Sequence, residues 1–300
     1  MATPIEFWLY LPQMRLGMHD IVQRAQTAEM AGFAGMAGMD HLAPPGAEAS
    51  PMFEAMTTNA WVAAHTQNLR VGSLVLCDSF RHPAVLAREA VTIDQASGGR
   101  FELGIGWGSV ASEFEGYGIG SAEPKFRVGR LKESLEIMNA LWRGETLDYE
   151  GEHFTLRGAQ QQPVPLGKIP ILIGGGGRKT MELVAAYADW WNVHISILDR
   201  FDEMRERAGA ARCSLQVQVA FVHPHSDRDE VDATARRRFW GNHVLGTAPE
   251  LVDYFGALAE RGVERVYAWF TDFAPGETLR EFGQQVIAPL RASASISPPA

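Results

Sequence analysis

Short apolar runs alternate with longer amphipathic stretches along almost the whole chain. The apolar runs have the length of β-strands and lie at residues 5–11, 33–39, 69–76, 100–106, 169–174, 188–195, 215–223 and 263–270. After each of them, apolar residues recur at helical spacing. Eight strand–helix units predict parallel strands joined by crossover helices. Such an α/β chain forms either a closed (β/α)8 TIM barrel or a doubly wound sheet, and the count of eight favours the barrel.

Two stretches exceed what a minimal barrel needs. Residues 106–126 follow strand four, and residues 145–165 precede strand five with hairpin-like alternation. We therefore expect insertions after strand four and before strand five, within a single domain over residues 1–291. Residues 292–300 are small and polar with a proline pair, which predicts a disordered tail.

Residue types at the ends of several stretches mark where helices begin and end. Pro83 suits the first turn of a helix that His82 precedes. Thr247 is a suitable N-cap, whereas Gly144 and Gly262 suit helix ends. These signals support the helical assignment of the amphipathic stretches.

Composition excludes several classes of protein. The net charge is −9 and no dense basic run occurs, so a nucleic-acid partner is not expected. The two cysteines, Cys77 and Cys213, give neither a disulfide framework nor a metal-binding spacing, which suits a reducing cytoplasm. No apolar run reaches the 18 or so residues of a membrane span, and no signal peptide is recognisable. The composition predicts a cytoplasmic globular protein without a membrane partner.

In barrels of this kind the chemistry lies at the carboxyl ends of the strands. Glycine, histidine and other polar residues gather at several of these ends: Asp40 and His41, Cys77 and Asp78, Gly106, Trp107 and Gly108, Asn192 and His194, and His223 and His225. Glycine and histidine together are expected of a site that holds a large planar ligand with an anionic tail.

The turn after strand five consists of four consecutive glycines: Gly174, Gly175, Gly176 and Gly177. Arg178 and Lys179 follow directly and begin the next helix. Backbone amides at a helix N-terminus bind anions, and glycine lets a ligand approach them. A flexible loop that closes a βα unit is the alternative interpretation.

The histidines leave two interpretations open. His41 could be a general acid or base, since imidazole changes charge near neutral pH, or a hydrogen-bonded structural residue with Asp40 capping the loop. His223 and His225 could suggest a metal, but no third ligand has a recognisable spacing, so we predict no metal site. Arg81 and Arg88 are expected to be surface or helix-dipole partners.

Four motifs in order resemble the luciferase-like superfamily of flavin- and deazaflavin-dependent oxidoreductases. They are "AEMAGFAGMAGMDHL", "LRVGSLVLCDSFRHPAVLAREAVTIDQASGGRFELGIGWG", "ILIGGGGRKTMELVAAYADWWN" and "GTAPELVDYFGALAERGVERVYAW". The resemblance extends from about Ile5 to Leu290. It implies a (β/α)8 barrel with insertions that binds a tricyclic cofactor.

The resemblance also implies roles for the residues at the strand ends. The glycine run would hold the cofactor phosphate, and a cis peptide bond between Leu74 and Val75 would support the rear face of the ring. His41 would donate or accept a proton, with Asp40 beside the ring. Further cofactor-binding residues would be Cys77, Gly106, Trp107, Gly108, Arg178 and Asn192. Trp8, Met39, Trp61 and Trp107 are expected to wall the pocket.

Departures from the family's patterns favour coenzyme F420 over FMN as the cofactor. Luciferases have arginine at Trp107, and the sulfonate and alkane monooxygenases have tyrosine at Val128, so both positions disfavour FMN. Sugar-phosphate dehydrogenases of the family have a carboxylate at Ser109, for which Glu113 is the nearest substitute. The resemblance thus implies hydride transfer between coenzyme F420 and a small, fairly apolar organic substrate, in a possible homodimer.

Three alternatives remain open at this point. One is an FMN-dependent two-component monooxygenase that receives reduced flavin from a partner reductase. Another is a flavin-binding barrel without catalysis, and the third is an unrelated barrel that binds a sugar phosphate.

Overall fold

The computed structural model describes residues 5–47, 49–239 and 241–296. The strands in this part of the chain are β1 Glu6–Tyr10, β2 Gly35–Gly38, β3 Arg70–Ser73, β4 Leu76–Cys77, β5 Phe101–Gly106, β6 Leu147–Glu150, β7 Thr155–Ala159, β8 Ile171–Gly174, β9 Trp190–His194, β10 Arg212–Phe221, β11 Val244–Gly246 and β12 Arg265–Phe270. The α-helices are α1 Met18–Met30, α2 Ala55–Ala64, α3 Pro83–Ser97, α4 Ala111–Tyr117, α5 Pro124–Trp142, α6 Arg178–Tyr187, α7 Phe201–Arg205, α8 Arg228–Phe239, α9 Ala248–Glu260, α10 Gly276–Phe282 and α11 Ala288–Ile296.

The parallel strands form a closed barrel. Neighbouring strands pair in the order β1, β2, β3, β5, β8, β9, β10 and β12, and β12 pairs again with β1. The short strand β4 continues β3 and also pairs with β5. Strand β11 adds to the sheet beside β10, with Val244 opposite Val219. The predicted (β/α)8 barrel is therefore confirmed, because a doubly wound sheet would leave two free edges.

Both predicted insertions are present. The first contains helix α4, and the second folds as an antiparallel hairpin of β6 and β7. The carboxylate of Glu133 on α5 accepts backbone N–H bonds of 2.7 Å from Glu152 and 3.1 Å from Phe154 at the hairpin turn. A buried carboxylate needs such partners, so this contact fixes the hairpin on α5.

Helix boundaries follow the residue types at the ends, with one difference. The ring of His82 accepts the N–H of Ala84, and the carboxylate of Glu250 accepts the N–H of Thr247 at 2.7 Å. The final helix α11 continues to Ile296, five residues past the predicted boundary, and residues 297–300 lie outside the described residues. Within the described ranges, no helix has both the length and the apolar character needed to cross a bilayer.

The amino-terminal end of the barrel is filled by side chains. The guanidinium of Arg265 lies 4.4 Å from the ring of Trp8 and 3.7 Å from that of Trp190. It also donates hydrogen bonds of 2.6 and 3.2 Å to Glu102 and one of 2.9 Å to Glu6. Charges buried in this way are tolerated because each meets an opposite charge or a ring face.

Candidate active site

A cavity of about 340 Å³ lies at the carboxyl ends of β2, β4, β5 and β8. Its walls contain most of the predicted site residues: Asp40, His41, Leu74, Val75, Cys77, Gly106, Trp107, Gly108, Gly174, Gly175, Gly176 and Gly177. The structure therefore brings together residues that lie as far apart in sequence as Asp40 and Gly177. The cavity is at the barrel end where the prediction places it.

Val75 forms the rear wall of the cavity. The peptide bond between Leu74 and Val75 is cis, as the resemblance implies. A Cβ atom on Gly106 would lie 2.8 Å from Cγ2 of Val75, and one on Gly174 would lie 3.6 Å from its Cγ1. Gly106 thus leaves the space that the Val75 side chain fills, and this part of the wall is apolar.

Cys77 and Gly108 form the neighbouring wall. Gly108 has φ of +82°, and a Cβ there would lie 2.8 Å from Sγ of Cys77. Burial raises the pKa of the Cys77 thiol to about 12, and the nearby carboxylates of Asp40 and Glu113 add to the effect. Cys77 is therefore an uncharged thiol at neutral pH, which makes it a wall residue and not a nucleophile.

The glycine turn leads into the N-terminus of α6. Gly175 has φ of +115°, and its N–H donates to the carbonyl of Asn192 at 3.0 Å. Gly177 is the N-cap and has no side chain to bond the first amides of the helix. The hydroxyl of Thr180, in the first turn, lies in the same cavity and accepts the indole N–H of Trp107 at 3.3 Å. Amides and helix dipole together suit a phosphate here.

The carboxylate of Asp40 accepts hydrogen bonds from two neighbouring residues. Its Oδ2 accepts the backbone N–H of Cys77 at 2.8 Å and a guanidinium N–H of Arg81 at 2.7 Å. Its Oδ1 accepts a second guanidinium N–H at 3.0 Å. Arg81 is not the surface partner that the sequence predicts, because its side chain is largely buried against this carboxylate. Asp40 holds the loop after β2 in position through these three contacts, and it also lines the cavity.

His41 borders the cavity and is held from one side. Its Nδ1 lies 2.9 Å from Oε2 of Glu113, whose Oε1 accepts the N–H of Leu42 at 2.6 Å. The imidazole is 19% exposed and the glutamate side chain only 8%. With Nδ1 occupied, Nε2 is the nitrogen that remains for a ligand in the cavity.

The family model for luciferase-like monooxygenases matches residues 1–287. The chain belongs to this family. An F420-dependent glucose-6-phosphate dehydrogenase of Rhodococcus erythropolis is 36% identical over 194 residues, which make up 63% of this chain and 55% of that protein. The matched stretch thus spans about half the length of this curated relative.

Two solved structures share the fold of this luciferase-like protein. An F420-dependent secondary alcohol dehydrogenase in complex with an F420–acetone adduct has a TM-score of 0.81 at 19% identity, covering 97% of this chain and 99% of that one. Monooxygenase RslO1 from Streptomyces bottropensis has a TM-score of 0.81 at 17% identity, covering 95% and 99%. The predicted family and fold are confirmed, and relatives named for F420 agree with the predicted cofactor.

Some predicted residues of the luciferase-like protein lie away from the cavity. Arg178 is exposed and pairs with Glu182 along α6 at 3.1 Å. The amide of Asn192 is buried and donates to the hydroxyl of Ser214 at 3.0 Å. Because the first residue of α6 points outward and Asn192 points into the barrel, neither side chain lines the cavity.

The predicted pocket walls are correct in part. Trp107 lines the cavity, and Trp8 and Met39 pack in the barrel interior with Tyr10 and Tyr267. Trp61 is wrong as a wall residue, because it is 49% exposed on α2.

The structure of the luciferase-like protein gives the imidazole of His223 two partners. The imidazole lies 2.7 Å from a carboxylate oxygen of Glu281 and 3.1 Å from the hydroxyl of Thr278. Within residues 5–47, 49–239 and 241–296, no three histidine, cysteine or carboxylate side chains are grouped as metal ligands.

Proposed function

We propose that this luciferase-like protein is an F420-dependent oxidoreductase that transfers a hydride between the deazaflavin and a small organic substrate. The observation that carries the proposal is the placement of His41. One ring nitrogen is held by Glu113, while the ring borders a cavity that ends at the glycine turn of α6. Such an arrangement suits a proton donor or acceptor beside a bound ring system.

The residues present fit the proposed cofactor. Amides of the glycine turn and the hydroxyl of Thr180 would hold the phosphate, and Val75 would support one face of the ring. Because Gly106 and Gly108 have no side chains, they leave the space between β5 and the cofactor ring open. The bound deazaflavin supplies a ring carbon that accepts or releases hydride.

The chain itself supplies the proton chemistry. When an alcohol carbon gives up its hydride, the hydroxyl proton passes to Nε2 of His41 and a carbonyl remains. Reduction of a carbonyl runs the same steps backwards, with His41 as the acid. Trp107 and the aromatic barrel interior would exclude water from the reacting atoms.

We infer a largely apolar substrate from the walls around the cavity. The barrel interior beneath it is built from Trp8, Tyr10, Met39 and Tyr267, all buried. The position that carries a carboxylate in the sugar-phosphate dehydrogenases is Ser109. A secondary alcohol or a ketone therefore suits the site better than a sugar phosphate.

We also propose a homodimer and a cytoplasmic location. Phe53, Trp61 and Val85, on and around α2 and α3, are exposed by 37%, 49% and 53%, which suits contact with a second copy. Cys77 and Cys213 are buried free thiols, as expected in a reducing compartment. Light scattering of the wild type and of Trp61→Glu would test the dimer, which the charge should dissociate.

Cofactor titration tests the proposal directly. Quenching of tryptophan fluorescence should show tight binding of F420 and weak binding of FMN. The reverse order would instead support a monooxygenase supplied by a reductase. If neither binds below about 100 μM, roughly −5.5 kcal/mol, the glycine turn is not a phosphate site.

The role of His41 has its own test. His41→Ala should bind F420 within about twofold of wild type and lose roughly 10²- to 10⁴-fold in kcat with secondary alcohols. His19→Ala, which removes an exposed histidine of α1, is the matched control and should leave both quantities unchanged. Full turnover by His41→Ala would remove the proton-transfer role.

A further inference from the structure

Glu113 uses both carboxylate oxygens on the segment that carries His41. Oε2 contacts Nδ1 of the imidazole at 2.9 Å, and Oε1 accepts the N–H of Leu42 at 2.6 Å. An ionised carboxylate only accepts hydrogen bonds, so the hydrogen in the first contact belongs to Nδ1. The neutral ring then has its lone pair on Nε2.

We propose that Glu113 is a positioning residue that fixes the tautomer of His41 and directs the Nε2 lone pair at the substrate. This inference rests on the proposed function of His41. It assigns to Glu113 a different task from the acid that Ser109 replaces, because both oxygens of Glu113 bond to the segment that carries His41. A hydrogen bond on one ring nitrogen commonly decides which form the other presents.

The fold holds Glu113 firmly in this place. It lies on α4, where the next residue, Phe114, is buried against the barrel. The guanidinium of Arg127 lies 4.6 Å from the Phe114 ring and donates to the carbonyl of Gly108 at 2.9 Å. Arg127 thus joins α4 to the end of β5, and the short helix presents its carboxylate at a fixed point.

The surrounding charges leave Glu113 as the group that acts on His41. Asp40, the adjacent carboxylate, is paired in a bidentate manner with Arg81. Cys77 stays uncharged because burial raises its pKa to about 12. Glu54 and Glu89, on the side of α2 and α3, lie against Arg81 as well. When the substrate proton arrives on Nε2, the carboxylate of Glu113 stabilises the resulting imidazolium.

Glu113→Gln separates the tautomer effect from a purely structural role. The glutamine carbonyl can still accept the N–H of Leu42, so that contact survives. Its amide can only donate to Nδ1, which moves the ring proton of His41 to Nε2. We expect kcat to fall about 10²- to 10⁴-fold, as for loss of a general base, with F420 affinity within about twofold of wild type. Glu115→Gln, exposed on the same helix, is the matched control and should leave kcat unchanged.

The direct readout is ¹⁵N NMR of ring-labelled histidine in the protein without cofactor, with His41 assigned from His41→Gln. Wild type should show the proton on Nδ1, and Glu113→Gln should show it on Nε2. If Glu113→Gln does not fold, Glu113→Asp serves instead. It should keep the wild-type tautomer and part of the activity.

Two results would overturn the inference. One is a wild-type spectrum with the proton on Nε2, and the other is full kcat in Glu113→Gln with the tautomer changed. The failure of the proposed function is distinguishable from both, because it would appear as a wild type that neither binds F420 nor oxidises alcohols. The tautomer measured in the cofactor-free protein would still stand.

Discussion

At its amino-terminal end the barrel is filled by large charged and aromatic side chains, whereas at its carboxyl end glycines leave a cavity. Strand β5 contributes to both ends of the barrel. Positions 102, 104 and 106 lie on the same face of this strand, and they are occupied by Glu102, Gly104 and Gly106. Glu102 bonds to Arg265, which lies between two tryptophan rings. Four residues further along, Gly106 leaves room for Val75 and for a ligand.

The difference indicates how the molecule separates stability from binding. The filled end contributes ionic contacts, and loss of one leaves a buried charge with fewer partners. The open end contributes backbone amides and empty space, which add little to the stability of the folded state when no ligand is bound. Substitutions at the two ends should therefore change different quantities.

Arg265→Met should have the largest effect, and it should fall on stability. Removal of the guanidinium leaves the buried carboxylate of Glu102 with Arg70, 2.6 Å away, as its remaining ionic partner. We therefore expect a loss of about 3 kcal/mol of the free energy of unfolding, at the lower end for a broken buried ion pair. Urea denaturation measures the loss, and F420 affinity of the folded protein should stay near wild type. Arg178→Met, which removes an exposed arginine, should hardly move the urea midpoint. An equal midpoint for both variants would mean that the ionic network does not stabilise the barrel.

Gly175→Ala should act mainly on binding. Its φ of +115° is strained for any residue with a side chain, at a cost of about 1–3 kcal/mol. Relaxation of the turn would displace its amides, so F420 affinity should fall by about tenfold or more, equal to about 1.4 kcal/mol. Fluorescence titration measures the affinity. Gly167→Ala, in a loop with open space around it, is the control. Unchanged affinity in Gly175→Ala would show that the turn does not hold the ligand.

Cys77 should give the smallest effect, and it depends on pH. Its folded pKa of about 12 exceeds the value of about 8.5 in an unfolded chain. As pH rises above that value, the unfolded state releases the proton while the folded state keeps it, so stability falls. Between pH 7 and 9 the loss is at most about 0.8 kcal/mol. Comparison of urea midpoints for wild type and Cys77→Ser measures it, since the serine variant should lack this part of the alkaline loss. An equal loss in both would place its origin elsewhere.

The sequence was sufficient for the barrel because its strands and helices are local patterns that repeat eight times. The glycine turn was also predictable, since four glycines between a strand and a helix have few structural uses. The contacts of His41 were not, because Glu113 lies 72 residues away on an insertion whose path no periodicity describes. The same holds for Asp40 and Arg81, 41 residues apart. The direction of the Asn192 side chain, which bonds to Ser214, was not predictable either, because a position near a strand end does not reveal which way a side chain points.

The pairing of β12 with β1 has a consequence for synthesis of the protein. Arg265 and Glu6 are 259 residues apart, so the contact that seals the filled end joins nearly the first and the last parts of the barrel. While β12 is still inside the ribosome, the emerged part of the nascent chain has unpaired strand edges at β1 and β10. Trp8 and Trp190 then also lack the guanidinium of Arg265 between them. Open strand edges of this kind invite pairing with other chains. The interval before residue 270 emerges is therefore when this chain depends most on protection from its neighbours.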